Sequence, residues 1–273
     1  MLNLRLENVS LGYGKRKVLH DINFQASPGE MLGIIGPNGS GKSTLIRGMT
    51  RLISPSTGQI FLDGRDVAYI SRSELARMMA VVPQNPSLPE LFTAFEVVLM
   101  GRTPHLKLFR YETAKDLLIV TKAMEVTKTL GFANRRIGEL SGGERQRLTI
   151  ARALAQEPTI ILLDEPTAHL DINYQIETLD LARRLCLEQN LIVVTALHDL
   201  NLAAQYCDKL IMLNNGEIHC HGSPDAVINS QTIMEVYGAE VYVYPHPLNH
   251  LPATLIVPDK NKHKAAEKTK TWR

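Results

Sequence analysis

The sequence predicts an α/β chain with three parts: a parallel sheet around a phosphate-binding loop, an antiparallel β sub-domain beside it, and an inserted helical sub-domain. Three observations carry this expectation. The apolar run Met31-Leu-Gly-Ile-Ile35 leads directly into Gly36-Pro-Asn-Gly-Ser-Gly-Lys-Ser43, and Thr44-Leu-Ile-Arg-Gly-Met49 can continue as a helix. Residues 2 to 25 and 58 to 63 alternate apolar and polar positions over short stretches, as strands of an antiparallel sheet do. From 86 to about 139 the strand pattern disappears, and at 158 a strand–helix alternation begins, as parallel sheets require.

Each element has a local reason. Residues 31 to 35 are apolar on both faces, which suits a buried parallel strand. The following octet fits G-x-x-x-x-G-K-S/T. Glycines at 36, 39 and 41 let the backbone curl so that successive N–H groups point inward, forming an anion cradle at a helix N-terminus. Lys42 then reaches the β- and γ-phosphates of a nucleotide, and the Ser43 hydroxyl becomes a ligand for Mg2+. The candidate nucleotide contacts here are Gly36, Pro37, Asn38, Gly39, Ser40, Gly41, Lys42, Ser43 and Thr44. Ala94 to Met100 and Thr113 to Leu130 read as helices of the insertion. Ser141 and Glu144 form an S-x-x-E capping box ahead of a helix spanning Glu144 to Ala155, with Leu148, Ala151, Leu154 and Ala155 on one face. Ile160-Ile-Leu-Leu-Asp-Glu165 is an apolar run ending in two acids, as expected of a buried strand whose C-terminal end faces a ligand. Leu191 to Thr195 repeats the strand pattern, and short helices and strands follow Gly222 to about Val257.

The expected organisation is one domain over residues 2–257, with its helical sub-domain at about 86–157, and a lysine-rich, disordered tail over 258–273. A formal net charge of +2 offers no broad basic field, so nucleic acid is not an expected partner. No apolar run reaches membrane-spanning length, and the alternation of Met1 to Glu7 reads as a strand rather than a signal peptide. Three scattered cysteines, Cys186, Cys207 and Cys220, fit a reducing compartment. His219-Cys220-His221 supplies too few ligands for a metal site and reads as exposed strand residues.

Leu140-Ser-Gly-Gly-Glu144, followed by Arg145-Gln-Arg-Leu-Thr-Ile-Ala-Arg-Ala-Leu154, resembles the signature of the ATP-binding cassette family. The resemblance extends from about residue 2 to residue 257 and implies the ABC ATPase fold with its P-loop NTPase core. It implies that Asp164 holds magnesium and that Glu165 is the base that polarises the attacking water. Gln84, in Val81-Val-Pro-Gln-Asn85, matches the glutamine loop and can ligate magnesium; His198 matches the switch histidine that contacts the γ-phosphate. Asp171 matches the acid of the loop that crosses to another subunit, although the family often has Ser-Ala before that Leu-Asp pair, so His169 is a departure. Tyr13, between Gly12 and Gly14, resembles the aromatic that stacks on adenine, with Val18 as its apolar neighbour; as local structure it also reads as a turn residue.

In the family the signature faces the ATP of another subunit. Ser141, Gly142, Gly143 and Glu144 would therefore complete the site of a second copy of this chain, two copies enclosing two ATP molecules head to tail. The implied activity is hydrolysis of ATP with Mg2+, coupled to transport. Val98-Leu-Met-Gly-Arg-Thr-Pro-His105 lies just beyond Gln84; as pure local structure it is a helix end stopped by Gly101 and Pro104, with Arg102 and His105 solvated. Together with Pro166-Thr-Ala-His-Leu-Asp171 and His198-Asp-Leu-Asn-Leu-Ala-Ala-Gln-Tyr-Cys-Asp208, that string resembles cassettes of importers for iron-siderophores, haem and cobalamin. The implied partners are two polytopic permease subunits docking on the helical sub-domain and, indirectly, an external binding protein. The implied location is the cytoplasmic face of a bacterial or archaeal membrane. Molybdate or tungstate import and a soluble ATPase of iron-sulfur assembly remain as alternatives.

Overall fold

In the computed structural model, which describes residues 3–106 and 111–257, the chain opens with two strands, β1 (Leu4–Tyr13) and β2 (Arg16–Ala26), paired antiparallel. They run longer than the alternation suggested. Register shifts between Leu6 and Val9, and again up to Gly12, interrupt the alternation without ending the ribbon. Next come β3 (Met31–Ile35), α1 (Lys42–Met49), β4 (Thr57–Leu62) and the two-residue β5 (Arg65–Asp66). The first sheet has the order β2-β1-β4-β5 and is antiparallel throughout. Helix α2 (Arg72–Met78), capped by Ser71, leads into β6 (Met79–Val82).

Between Val82 and Ile160 the described residues form helices and turns, with one isolated bridge from Thr93 to Arg136. The helices are α3 (Ala94–Leu99), α4 (Ala114–Val126) and α5 (Gly142–Leu154). Thr93, Thr113 and Ser141 each open one of them with a complete capping box, the hydroxyl accepting from the third helical amide and the acid there accepting in return. The Ser141 cap is why α5 begins at Gly142, two residues before the start that the periodicity indicated. The chain then continues with β7 (Ile160–Asp164), α6 (Ile172–Glu188), β8 (Ile192–Ala196), α7 (Leu200–Tyr206), β9 (Lys209–Asn214) and β10 (Glu217–Gly222). It closes with α8 (Pro224–Val227), α9 (Ser230–Tyr237) and the hairpin β11 (Val241–Pro245)–β12 (Pro252–Ile256).

The second sheet has the order β10-β9-β3-β8-β7-β6, parallel from β9 to β6, with β10 antiparallel at one edge. Its central strands β3, β7 and β8 are buried on both faces, and alternation feeds two cores. Ile161, Leu163 and Val193 point to the side covered by α3 to α7; Ile160, Leu162, Ile192 and Val194 point to the side shared with α1 and the first sheet. Helix α1 is wedged between the sheets through Leu45, Ile46 and Met49. No helix among the described residues is long and apolar enough to cross a membrane.

The reading of Arg102 as solvated is overturned. A 3₁₀ turn, Met100–His105, continues α3 with Pro104 inside it, and Arg102 there is 3% exposed. Its guanidinium donates to Asp116 Oδ1 at 2.9 Å, to the Ala155 carbonyl at 2.7 Å and to Glu157 Oε2 at 2.9 Å. Hydrogen bonds from Thr113, and then Arg102 itself, hold the Asp116 carboxyl down to about 2. His105 Nε2 lies 2.8 Å from the Gln156 carbonyl, so the string ties the C-terminus of α5 to the N-terminus of α4. Removing one member of such a buried pair strands the other charge at a cost of about 3–5 kcal/mol. His219 and His221 are exposed on β10, with His219 Nε2 3.1 Å from Glu235. The lysine-rich tail lies outside the described residues.

Candidate nucleotide-binding site

Strand β3 carries the chain out of the sheet at Ile35 and directly into the loop. Two glycines there have no substitute. Gly36 sits at φ 145°, where an added Cβ would stand 2.3 Å from the Leu213 carbonyl oxygen; Gly41 sits at φ 110°, where it would stand 2.4 Å from Leu19. Gly41 is also the N-cap of α1, and no side chain caps that helix, so its first amides are left for a ligand. The Ser40 hydroxyl is buried without a partner inside the loop, a polar atom that a phosphate oxygen would satisfy.

Lys42 Nζ donates to the carbonyls of Gly36 at 2.8 Å and Pro37 at 3.1 Å. Burial lowers its pKa, while the charges of Glu165 and Asp164 oppose that shift. One residue on, Ser43 Oγ donates to Asp164 Oδ1 at 2.9 Å. Burial raises the Asp164 pKa, with the Ser43 hydrogen bond opposing and the Glu165 charge reinforcing it. These neighbours fit a small hard cation: a hydroxyl and a carboxylate oxygen side by side, with the Gln84 amide nearby, are the donors that suit Mg2+ when phosphates complete its shell.

Three adjacent parallel strands end on this side. Gln84 follows β6, Asp164 ends β7 with Glu165 just after it, and His198 follows β8. Their side chains converge on one carboxylate: Glu165 Oε2 accepts from Gln84 Nε2 at 2.5 Å, and Oε1 lies 2.5 Å from His198 Nε2. Glu165 has φ 52°, a left-handed conformation uncommon outside glycine, and its N–H donates to the Ala196 carbonyl at 3.2 Å. The strained backbone turns its side chain across the sheet ends rather than along the strand.

Between these groups and the first sheet lies a cleft of about 410 Å³, lined by Lys42, Ser43, Thr44, Asn38, Gly39, Gly41 and Glu165 on one side and Tyr13, Arg16 and Val18 on the other. Tyr13 is half exposed at the tip of β1, and its hydroxyl accepts from Arg47 at 2.8 Å. Arg16 and Arg47 were missed at the sequence level. Arg16 pairs with Tyr13 across the hairpin, inside the basic run Lys15-Arg16-Lys17 that signalled it; Arg47 lies one helical turn beyond Ser43.

The signature residues are not in this cleft. Ser141 and Gly142 are exposed at the start of α5, and an added Cβ on Gly142 would meet nothing within 4 Å. Gly143 is buried beneath the Tyr174 ring, which an added Cβ would meet at 2.5 Å. Asp171 is the exposed N-cap of α6 and makes no side-chain cap bond. Within one chain the structure therefore brings together residues 36–44, 84, 164, 165 and 198 with Tyr13 and Val18, and leaves 141–144 and 171 outside.

The sequence model of the ABC transporter family matches residues 19–168, more than half of the chain. The chain belongs to this family. Among curated ABC transporter relatives, the cobalamin import ATP-binding protein BtuD of Halobacterium salinarum is 43% identical over 89% of this chain and 61% of its own length. The ferric enterobactin transport ATP-binding protein FepC of Escherichia coli is 40% identical over 93% of both chains. The chain thus spans about three-fifths of the length of the cobalamin relative and nearly all of the enterobactin one. Among solved structures, an ABC transporter in an inward-facing conformation matches with a TM-score of 0.83 at 28% identity, covering 96% of this chain and 100% of that one. A dimeric bacterial ABC transporter cassette matches with a TM-score of 0.70 at 30% identity, over 81% of this chain and 98% of that one. The fold of this chain is the ABC ATPase cassette: two sheets, a phosphate loop between them, and a helical insertion before the signature.

Proposed function

We propose that this chain is the ATP-hydrolysing subunit of a membrane import complex for a metal chelate: an iron-siderophore, haem or cobalamin. The observation that carries the hydrolysis is the Glu165 carboxylate, held between Gln84 and His198 and facing the cleft that contains Lys42 and Ser43. The amides of the loop and the first turn of α1 cradle the phosphates, and Lys42 exchanges the Gly36 and Pro37 carbonyls for phosphate oxygens. Ser43, Asp164 and the Gln84 amide would hold Mg2+, which supplies neutralisation of the phosphate charge. Tyr13 stacks on the base, with Val18 packed beside it. Glu165 orients water and takes its proton, and His198 contacts the γ-phosphate once it leaves the carboxylate.

The exposed start of α5 supports a head-to-tail pair in which Ser141 to Glu144 of each copy close the ATP site of the other, with Asp171 at the crossing loop. Closure then depends on ATP bridging the copies, and hydrolysis releases it. The helical stretch at about 86–157 carries this motion to two permease subunits at the cytoplasmic face of the membrane, fed from outside by a binding protein. Support for the cargo class comes from relatives named for cobalamin, ferric enterobactin and haem transport. The test is uptake of labelled ferric siderophore, haem and cobalamin by cells that contain the chain, lack it, or carry Glu165→Gln. The expected result is loss of one of the three uptakes without the chain and with Glu165→Gln, and a fall of about two orders of magnitude in ATP turnover for the variant, which still binds ATP. Unchanged uptake of all three refutes the cargo class, and normal turnover removes Glu165 from the base role.

A further inference from the structure

The β11–β12 hairpin lines neither the phosphate cleft nor the sheet ends, yet it is fastened to α7, the helix that follows His198. Helix α7 starts directly after His198: Asp199 caps it, its Oδ1 accepting from the amides of Asn201 at 2.8 Å and Leu202 at 3.0 Å. The outer face of α7 is then tied to the hairpin. Asn201 Oδ1 accepts from Thr254 N at 2.7 Å and Thr254 Oγ1 at 2.9 Å, while its Nδ2 donates to the Thr254 carbonyl at 3.3 Å. One turn later, Gln205 Oε1 accepts from Asn249 Nδ2 at 2.6 Å. Positions four apart share a face, so the hairpin grips seven residues of helix at both ends. Ala203 and Ala204 hold α7 to the core, and the bonds to Thr254 hold the exposed side of its first turn.

We propose that the β11–β12 hairpin positions the ATP site from behind: through Asn201 it sets His198 against Glu165. The inference rests on the reading that the cleft hydrolyses ATP. Asn201 touches no reacting atom; it acts through His198, on the chain just ahead of α7.

The experiment measures steady-state hydrolysis, equilibrium binding of a non-hydrolysable ATP analogue and thermal unfolding, all on the full chain. Asn201→Ala is expected to lower kcat by about tenfold with analogue affinity unchanged, and Asn201→Asp, which keeps the acceptor oxygen for Thr254, to restore most of it. Thr254→Val, which removes one of the hairpin's bonds, is expected to move kcat in the same direction by less. A loss confined to kcat, with rescue by Asp, supports the proposal. A loss that tracks a fall in thermal midpoint, or no change in kcat, overturns it. A wild-type chain that binds the analogue but does not hydrolyse ATP refutes the ATPase reading instead.

Discussion

This chain starts two helices on glycine-rich loops, and the two starts are physical opposites. Helix α1 begins between the two sheets, with Gly41 as a left-handed cap, no side chain on its amides and an ammonium folded over the loop carbonyls. Helix α5 begins at the surface with its own needs met: Ser141 Oγ accepts from Glu144 N at 3.3 Å, Glu144 accepts from Ser141 N at 2.8 Å, and Arg135 pairs with that carboxylate at 3.1 Å. The Ser141 amide, more than any other neighbour, holds the Glu144 pKa low. The first start leaves its amides to a ligand. The second is stable by itself and becomes part of a site only against another surface. Glycines alone do not make a helix start an anion site; what surrounds the freed amides does.

The contrast can be broken most sharply with one methyl group. Gly36→Ala places a Cβ 2.3 Å from the Leu213 carbonyl at a φ of 145°, and ATP binding is expected to fall by about two orders of magnitude. A binding titration that leaves affinity within a factor of two would show that the loop is not held as tightly as its contacts indicate. Gly142→Ala meets open space, so the single chain should unfold as before and bind ATP as before, while hydrolysis falls by about tenfold through the pair. Crosslinking sharpens this further: cysteines at the exposed positions Asn38 and Gly142, in a Cys220→Ser background, should join separate chains only when ATP is present. A bond formed equally without ATP, or only within one chain, contradicts the composite site. The smallest effect belongs to Ser141→Ala, which removes one arm of the capping box and should cost about 1 kcal/mol in denaturant unfolding. An equal loss of analogue binding by the isolated chain would mean that α5 already reaches its own cleft.

How much of this was legible follows from distance along the chain. The phosphate loop is local, so eight residues and their flanks reveal strand, turn and helix together. The capping box at Ser141 is local too, and only the first helical residue was misjudged. Gln84, Glu165 and His198 are far apart in sequence and meet because β6, β7 and β8 are neighbours in the sheet; no spacing rule expresses that, and resemblance alone paired them. Arg102 is the clearest failure. Next to Gly101 and Pro104 it reads as a polar residue at a helix end, but Asp116 and the Ala155 carbonyl, which bury it, come from two other helices. Tyr174 carried no signal for the same reason: Gly143, which packs beneath its ring, lies on a distant segment.

Strand β3, which holds the phosphate loop, pairs only with β8 and β9: Gly33 stands beside Thr195 on one side and Leu210 on the other. During synthesis the loop therefore leaves the ribosome long before the strands that flank it exist. At ordinary elongation rates that interval is about 10–30 s. Throughout it, Met31 to Ile35 are an apolar segment with unpaired edges, and the nascent chain has no means of gripping nucleotide. Competence for ATP arrives late and all at once, with the emergence of β9.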